Sequence, residues 1–333
     1  MTDSTFRALV ITEHPEKAFK RTIEERRISD LPEGEVLVRV HYSSLNYKDG
    51  LSSIGNRGVT RKYPHTPGID ASGIVESSAS DAFKSGDEVI VTSYDLGMNT
   101  SGGYGQYIRV PAAWVVPLPE GLTLKEAMAY GTAGYTAALA VDALLKNGIT
   151  PEQGGVVVTG STGGVGSVSV ALLAKLGFEV TAATGKPDEA AFLKMLGASG
   201  IVSREDVNDE SGKPILKPQW IGAVDTVGGA TLATLLKSLD RGGAAAATGL
   251  VASPDLPTSV FPFILRGVSL LGIDSGETPM ALRQAIWGRL AGDWKLPQLD
   301  ALMVDCTLDT LGPEIDKILK GQQRGRVVVD LES

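Results

Sequence analysis

The sequence predicts an α/β chain: a β-rich first third, followed by a doubly wound parallel sheet. Two observations carry this. From Val156 onward, short β-branched runs alternate with apolar helical stretches that end at glycine, the order of parallel strands and crossover helices. Before Leu124 the chain instead shows short alternating apolar stretches cut by Gly and Pro turns. A length of 333 residues is enough for two separate cores.

Val36, Val38 and Val40 alternate with Leu37, Arg39 and His41, as in a half-buried strand. Residues 73–75 and Glu88–Thr92 are further strands, and 114–118 closes the region before the Pro119-Glu120-Gly121 boundary. Residues 125–145 are Ala/Leu-rich and helical, interrupted at Gly131 and Gly134. Val156-Val157-Val158 reads as a strand buried on both faces. Residues 168–176 form an apolar helix stopped by Gly177, 178–183 the next strand, and 189–196 a helix stopped by Gly197. Residues 223–225, 244–248 and 270–273 are later strands of the same sheet, and 326–331 is the last strand of the chain. The expected organisation is a first domain over 1–124, a nucleotide domain over 125–260, and a return of 261–333 to complete the first.

A formal charge of −8 and a pI near 5.1 argue against a nucleic-acid surface. The single cysteine, Cys306, makes no disulfide within the chain. Residues 1–7 are polar and lack the apolar core of a signal peptide, and no apolar run approaches the ~20 residues that span a bilayer. These point to a cytoplasmic address, with no membrane and no nucleic acid as partner.

The strongest local signal is the strand 156–158 running into glycines at 160, 163 and 166 and then into a helix. Glycine lets the backbone turn sharply and approach a pyrophosphate, which the helix N-terminus attracts. An ordinary tight turn is the competing reading. The next strand ends in Thr184-Gly185-Lys186, where an NAD site would carry an acidic residue, and Arg204 follows the third strand. A hydroxyl and two cations suit the 2′-phosphate of NADPH. Alternatively, both cations are solvated surface charges.

Asn46-Tyr47-Lys48-Asp49, Pro67-Gly68-Ile69-Asp70, Gly131-Thr132-Ala133-Gly134, the glycine turn and Gly325-Arg326 together carry a family resemblance. Over essentially its whole length the chain resembles the medium-chain dehydrogenase/reductase superfamily. It is most similar to the quinone oxidoreductase branch of YhdH/YhfP type, which includes NADPH-dependent acrylyl-CoA reductases. Pro262-Phe263-Ile264-Leu265-Arg266 and Gly272-Ile273-Asp274-Ser275 strengthen the narrower match. The resemblance implies a GroES-like β-rich catalytic domain built from both chain ends, with a Rossmann nucleotide domain inserted between. It implies that Thr162, Gly163, Gly164 and Val165 touch the pyrophosphate, and that Thr184, Gly185, Lys186 and Arg204 surround the 2′-phosphate. Tyr47, Leu250, Ile264, Ser275 and Gln322 would line the nicotinamide half. A homodimer through the edge strand near 270–273 is expected on the same ground.

Zinc-dependent relatives carry a cysteine in the first motif region and a His-Glu pair after the glycine of the second. This chain has Asn46-Tyr47 and Ile69-Asp70 there, and its three histidines, His14, His41 and His65, are not paired at ligand spacing. The expectation is therefore an enzyme without zinc, acting on an acceptor that is already electrophilic, such as an acyl-CoA thioester, enone or quinone. Hydride addition to an activated double bond leaves an enolate for hydrogen-bond donors to stabilise. Asn46 and Tyr47 are the candidate catalytic residues, Tyr47 the better donor; a turn residue and an aromatic wall are their structural alternatives. Lys48, Asp49 and Asp70 are expected to form a buried ionic cluster at the domain junction, scaffold first and proton relay second. Arg57, Arg61 and Lys62 form a solvated loop or meet the phosphates of a CoA. The leading function is acryloyl-CoA reduction, with a quinone or enone reductase as runner-up and a non-catalytic NADPH-binding protein as the reading from another class.

Overall fold

The computed structural model describes residues 4–333; residues 1–3, at the head of the polar N-terminal stretch, lie outside the described residues. The chain forms two compact units. One runs to Thr132 and takes in Gly276–Asp293 and Leu299–Ser333; the other holds Ala133–Ser275 and Trp294–Gln298.

The first unit begins with a hairpin, β1 (Thr5–His14) against β2 (Ala18–Arg27), in register from Thr5↔Arg27 to His14↔Ala18. Then come β3 (Val36–Ser44), α1 (Tyr47–Ser53), β4 (Asp70–Ser78), β5 (Glu88–Thr92), β6 (Tyr107–Val110), β7 (Val115–Pro117) and α2 (Leu124–Lys146). Val36, Val38 and Val40 enter the main core, as the alternation predicts. On the opposite face of β3, Leu37 packs in a smaller cluster with Phe6, Ala8, Val10 and Leu31, while Arg39 is exposed. Helix α2 breaks at Gly131 (φ 51°, ψ −159°) and runs on through Gly134.

The second unit continues with β8 (Val156–Thr159), α3 (Gly164–Lys175), β9 (Val180–Thr184), α4 (Ala190–Met195), β10 (Gly200–Ser203), β11 (Trp220–Asp225), α5 (Gly229–Ser238), β12 (Leu239–Ala247), α6 (Phe261–Arg266) and β13 (Ser269–Gly272). Its six strands are all parallel, in the order β10-β9-β8-β11-β12-β13. The order reverses direction at β8, whose four residues are buried. Helix α3 starts at Gly164 rather than 168, so the tail of the glycine turn is already helical.

The chain closes with α7 (Met280–Ala291), α8 (Leu299–Leu302), β14 (Met303–Thr307), α9 (Leu311–Leu319) and β15 (Arg326–Asp330). In the first unit β14, β15, β3, β4, β5 and β7 form one sheet in that order, with β6 also paired to β3. Two of the unit divisions fall at 132/133 and 275/276, where the sequence reading placed them at 124/125 and 260/261. The second shift has a direct cause: β13 pairs with β12 from Ala244↔Ser269 to Ala247↔Gly272, which keeps residues beyond Phe261 in the parallel sheet.

Candidate functional site

The glycine turn after β8 is shaped by what surrounds it. Gly160 sits at φ 58°, and a Cβ there would run into Thr226 Oγ1; one on Gly166 would lie 2.7 Å from the Ser161 Cα. Gly163 is the N-cap of α3, so the N–H groups of Gly164 and Val165 have no acceptor within the helix. With no acidic side chain in its first turn, α3 presents the positive end of its dipole unopposed. Thr162 is buried beside it. Under the turn, the buried Asp225 at the end of β11 accepts from Thr159 Oγ1 (2.6 Å) and from the Gly228 N–H (2.7 Å), which ties the ends of β8 and β11 together. Burial pushes the Asp225 carboxyl up.

One strand away, Ser203 pairs with Thr184, which sets the ends of β9 and β10 side by side. Thr184 Oγ1 accepts the Lys186 N–H at 3.0 Å. The Arg204 guanidinium lies against Gly185, with Nε 2.5 Å and Cζ 2.6 Å from where a Cβ would be. Partial burial lowers the Lys186 ammonium, against an opposing pull from Glu189. The structure thus gathers Thr184, Gly185 and Arg204 at two adjoining strand ends. Leu250, in the loop after β12, and Ile264, on α6, carry exposed side chains at 63% and 69% accessibility. Ser275 Oγ accepts from Thr136 Oγ1 at 2.8 Å.

In the first unit the chemistry-bearing residues converge on a buried polar cluster. The Asp70 carboxylate, fully buried, accepts from Ser44 Oγ (2.5 Å), Asn46 Nδ2 (2.7 Å), the Thr132 N–H (2.9 Å) and Thr132 Oγ1 (2.5 Å). Asp49 accepts N–H groups from Asn46 (2.8 Å), Ile69 (2.9 Å) and Gly68 (3.2 Å). Burial first, and the Asp70 charge second, push Asp49 up to about 7, against the Asn46 and Ile69 N–H bonds and the Tyr104 hydroxyl. Arg326 donates to Ser44 Oγ (2.8 Å), Leu45 O (3.2 Å), Ala129 O (3.2 Å) and Asn46 Oδ1 (3.3 Å). Its Nη2 lies 3.9 Å from Asp70 Oδ2, and burial lowers its pKa.

The expected ionic cluster therefore exists with a different cation. Lys48 is exposed on α1, whose buried residues are Asp49, Gly50, Ser52 and Ser53, and Arg326 from β15 takes the place foreseen for it. Asn46 is buried and bonded to both Asp70 and Arg326, whereas Tyr47 is 44% exposed. Gln322 is exposed after α9, its N–H bonded to Lys317 O at 2.9 Å. Arg57 is committed to both oxygens of Glu13 at 2.6 Å and lies over the Phe19 and Tyr63 rings, while Arg61 and Lys62 are exposed.

Sequence reasoning passed over Ser44, Ser93 and Tyr104, and used Thr132 and Arg326 only as parts of motifs. An arginine heading the apolar run Val327-Val328-Val329 was the available signal for Arg326. Zinc does not fit the donor set. His65 bonds Gly97 O, His41 pairs with Glu332, and Cys306 is buried on β14. Among the described residues no three His, Cys, Asp or Glu side chains are grouped to hold a metal.

Residues 32–120 match the alcohol dehydrogenase GroES-like domain family, and 164–289 the zinc-binding dehydrogenase family. The acrylyl-CoA reductase AcuI of Ruegeria pomeroyi is 48% identical over 98% of this chain and 100% of its own length. YhfP of Bacillus subtilis, assigned to the quinone oxidoreductases, is 50% identical over 91% of this chain and 92% of its own. Its crystal structure with NAD bound superposes with a TM-score of 0.96, at 47% identity over 98% of this chain and 100% of that one. The YhdH oxidoreductase of Salmonella enterica, in complex with NADP, gives 0.94 at 42% identity over 97% of this chain and 99% of that one. The chain is an oxidoreductase of the medium-chain dehydrogenase/reductase superfamily and belongs to its branch of quinone oxidoreductases and acrylyl-CoA reductases.

Proposed function

We propose that the chain uses NADPH to reduce an activated carbon–carbon double bond, most specifically that of acryloyl-CoA to give propanoyl-CoA. The observation that carries the cofactor choice is Arg204 seated over Gly185, one strand-end from the bare N-terminus of α3. These are two anion sites on adjacent strand ends, one suited to a pyrophosphate and one to a 2′-phosphate. Thr162, Gly163, Gly164 and Val165 would hold the first; Thr184, Gly185, Lys186 and Arg204 the second. Tyr47, Leu250, Ile264, Ser275 and Gln322 would meet the nicotinamide half. When bound, NADPH supplies a hydride.

The chain's own part is to orient the acceptor and to hold the charge that develops on its carbonyl oxygen. Tyr47, whose side chain is half exposed, is the donor for that oxygen; Asn46, tied to Asp70 and Arg326, fixes the turn that presents it. The donor set offers no zinc-based Lewis acid, so the acceptor must be electrophilic beforehand. The likeness to AcuI over the whole chain supports the thioester; that to YhfP supports a quinone as the second reading. We also infer a homodimer through β13, which ends the parallel sheet with Leu270 exposed. A cytoplasmic address agrees with a lone, buried cysteine.

Steady-state rates with acryloyl-CoA and with small quinones, each with NADPH and NADH, test the reading. A higher kcat/KM for acryloyl-CoA with NADPH is expected. A higher value for quinones overturns the substrate, and one for NADH the cofactor.

A further inference from the structure

Helix α1 is inside out. Its buried residues are polar or small, Asp49, Gly50, Ser52 and Ser53, whereas its outward face carries Tyr47 and Leu51, continued by Ile54 at the C-cap. Spacings of four and three residues set these three side chains in one row. Tyr47 and Ile54 are 44% and 49% exposed, and Leu51 is half-buried. A surface helix ordinarily turns its apolar stripe to the core and its polar residues to water. Here the inward polar groups are satisfied: Asp49 takes the N–H groups of Asn46, Gly68 and Ile69, and Ser53 Oγ donates to Gly50 O at 2.7 Å. The apolar row is left facing outward, as at a surface that a ligand covers.

The row runs into a cationic loop. From Gly50 to Ile69 the sequence holds Arg57, Arg61 and Lys62 and no acidic residue, in a chain whose formal charge is −8. Arg57 is committed to the fold, through both Glu13 oxygens and Arg61 O at 2.8 Å. Arg61 and Lys62 are exposed, and among the described residues neither side chain forms an ion pair. The loop beneath them is pinned. Ser52 Oγ and Thr60 Oγ1 lie 2.7 Å apart, the Tyr63 hydroxyl donates to Ser52 O at 2.6 Å, and the Arg61 N–H donates to Asn99 Oδ1 at 3.2 Å. Thr60 is fully buried, and the Phe19 ring fills the place a side chain at Gly55 would take. Both cations therefore project from backbone fixed to the far end of α1, so little freedom is lost when they meet an anion.

We propose that this surface binds the coenzyme A part of an acyl thioester. The pantetheine arm lies along Tyr47, Leu51 and Ile54, and Arg61 and Lys62 hold the phosphates of the nucleotide. This rests on the reading of the chain as an acyl thioester reductase. The order of the features matches the order of the ligand. Tyr47, the donor for the thioester oxygen in that reading, stands at one end; an apolar row of ~10 Å follows along the helix, and the free cations come last. A coenzyme A thioester likewise runs from a reactive acyl group through a long uncharged arm to a polyanionic nucleotide. Burial of the row holds the arm, and charge-assisted hydrogen bonds hold the phosphates. A quinone or short enone has neither arm nor phosphates and would leave both uncovered.

The test compares acryloyl-CoA, acryloyl-pantetheine and the acryloyl thioester of N-acetylcysteamine as substrates with NADPH. In wild type, kcat/KM should fall about tenfold at each truncation, chiefly through KM. Arg61→Glu with Lys62→Glu should lower the preference for acryloyl-CoA over acryloyl-pantetheine about tenfold or more, the scale of one charge-assisted contact. Lys213→Glu with Lys217→Glu, the same change of net charge in the other unit, should lower it less than twofold. Ile54→Asp should instead lower the preference for acryloyl-pantetheine over the N-acetylcysteamine thioester. All five positions are exposed, where substitution leaves the fold intact. Calorimetric titration of propanoyl-CoA, the product, needs no turnover. Wild type should bind it, more weakly as salt rises, and the Arg61–Lys62 variant about tenfold more weakly or worse, with a flatter salt dependence. An unchanged preference in the Arg61–Lys62 variant, or an equal loss in the Lys213–Lys217 control, overturns the phosphate contact; an unchanged preference in Ile54→Asp overturns the course of the arm. A wild type that reduces none of the three thioesters overturns the parent reading instead. The titration then still decides the surface: binding that the Arg61–Lys62 variant loses supports it, and equal binding or none overturns it.

Discussion

The Arg204 guanidinium occupies the space a side chain at Gly185 would need, its Cζ 2.6 Å from the position of a Cβ. Even a methyl group there pushes the cation off the end of β9. Gly185→Ala should therefore imitate Arg204→Ala. Each should weaken NADPH binding about 10- to 100-fold, the scale of one or two hydrogen bonds to a charged group. NADH, which has no 2′-phosphate, should bind within about twofold of wild type. Fluorescence titration of both cofactors checks this; an equal loss for the two would remove Arg204 from the phosphate.

Gly131 combines a positive φ with contact on three sides. A Cβ there would strike Ser44 Oγ, and would lie 2.5 Å from Asp70 Oδ2 and 2.7 Å from Arg326 Nη2. Those atoms belong to the buried cluster, so none can give way cheaply. Gly131→Ala should cost on the order of 4 kcal/mol, from backbone strain plus a broken ionic network. Chemical denaturation checks it, with Gly288→Ala, on the exposed face of α7 with nothing within 4 Å of its Cβ position, as the mild control.

The elements that could be read from the chain are those whose residue types are dictated locally. Val156 to Val158 must be apolar because β8 is covered on both faces, and Gly160 must be glycine because Thr226 Oγ1 blocks a Cβ. The β1–β2 hairpin was illegible because Glu16, not glycine or asparagine, takes the left-handed turn position (φ 68°), and β2 ends in Glu24-Glu25-Arg26-Arg27 with no apolar alternation. Ser93 was illegible for another reason: its hydroxyl partner is 39 residues away and meets it only through the tertiary fold. Lys48 was chosen for the ionic cluster by sequence proximity to Asp49, whereas the buried cation arrives from β15.

Asp49 predicts a pH dependence of stability. Its folded-state pKa of about 7 exceeds the unfolded value of about 3.9, so between these pH values the folded chain binds more protons than the unfolded one. The Asp49 contribution to stability should fall as pH rises through that window and level off above it. Asp49→Asn carries a fixed cost, since its amide can accept fewer of the three N–H bonds, but it should remove this downward component of the slope. Urea midpoints from pH 4 to 8 check this; an unchanged slope would mean that Asp49 stays ionised throughout.

Arg283 is fully buried, and its fork reaches two carbonyls and a hydroxyl. A lysine keeps the charge but not the planar fork, so Arg283→Lys should lose about 2–4 kcal/mol and free the strained turn at Ser93 and Tyr94, whose φ of 65° and 51° lie in the left-handed region. Thermal unfolding gives the loss. A crystal structure of the variant should show Tyr94 out of the left-handed region; the same backbone angles there would mean that Tyr94 stacking on Trp114 (5.5 Å, 6°) suffices.

Asn46 and Tyr47 are neighbours in sequence with opposite structural commitments, and their variants should separate accordingly. Asn46 is bonded to Asp70, Arg326 and the start of α1, so Asn46→Ala should cost about 2–3 kcal/mol of stability by leaving buried partners unsatisfied. Tyr47 is half exposed, so Tyr47→Phe should leave stability within about 0.5 kcal/mol. If its hydroxyl holds the developing oxyanion, kcat should fall about 100-fold. Stability and kcat measured on both variants decide the matter: Tyr47→Phe with full turnover would reduce Tyr47 to an aromatic wall and leave the oxyanion to another donor.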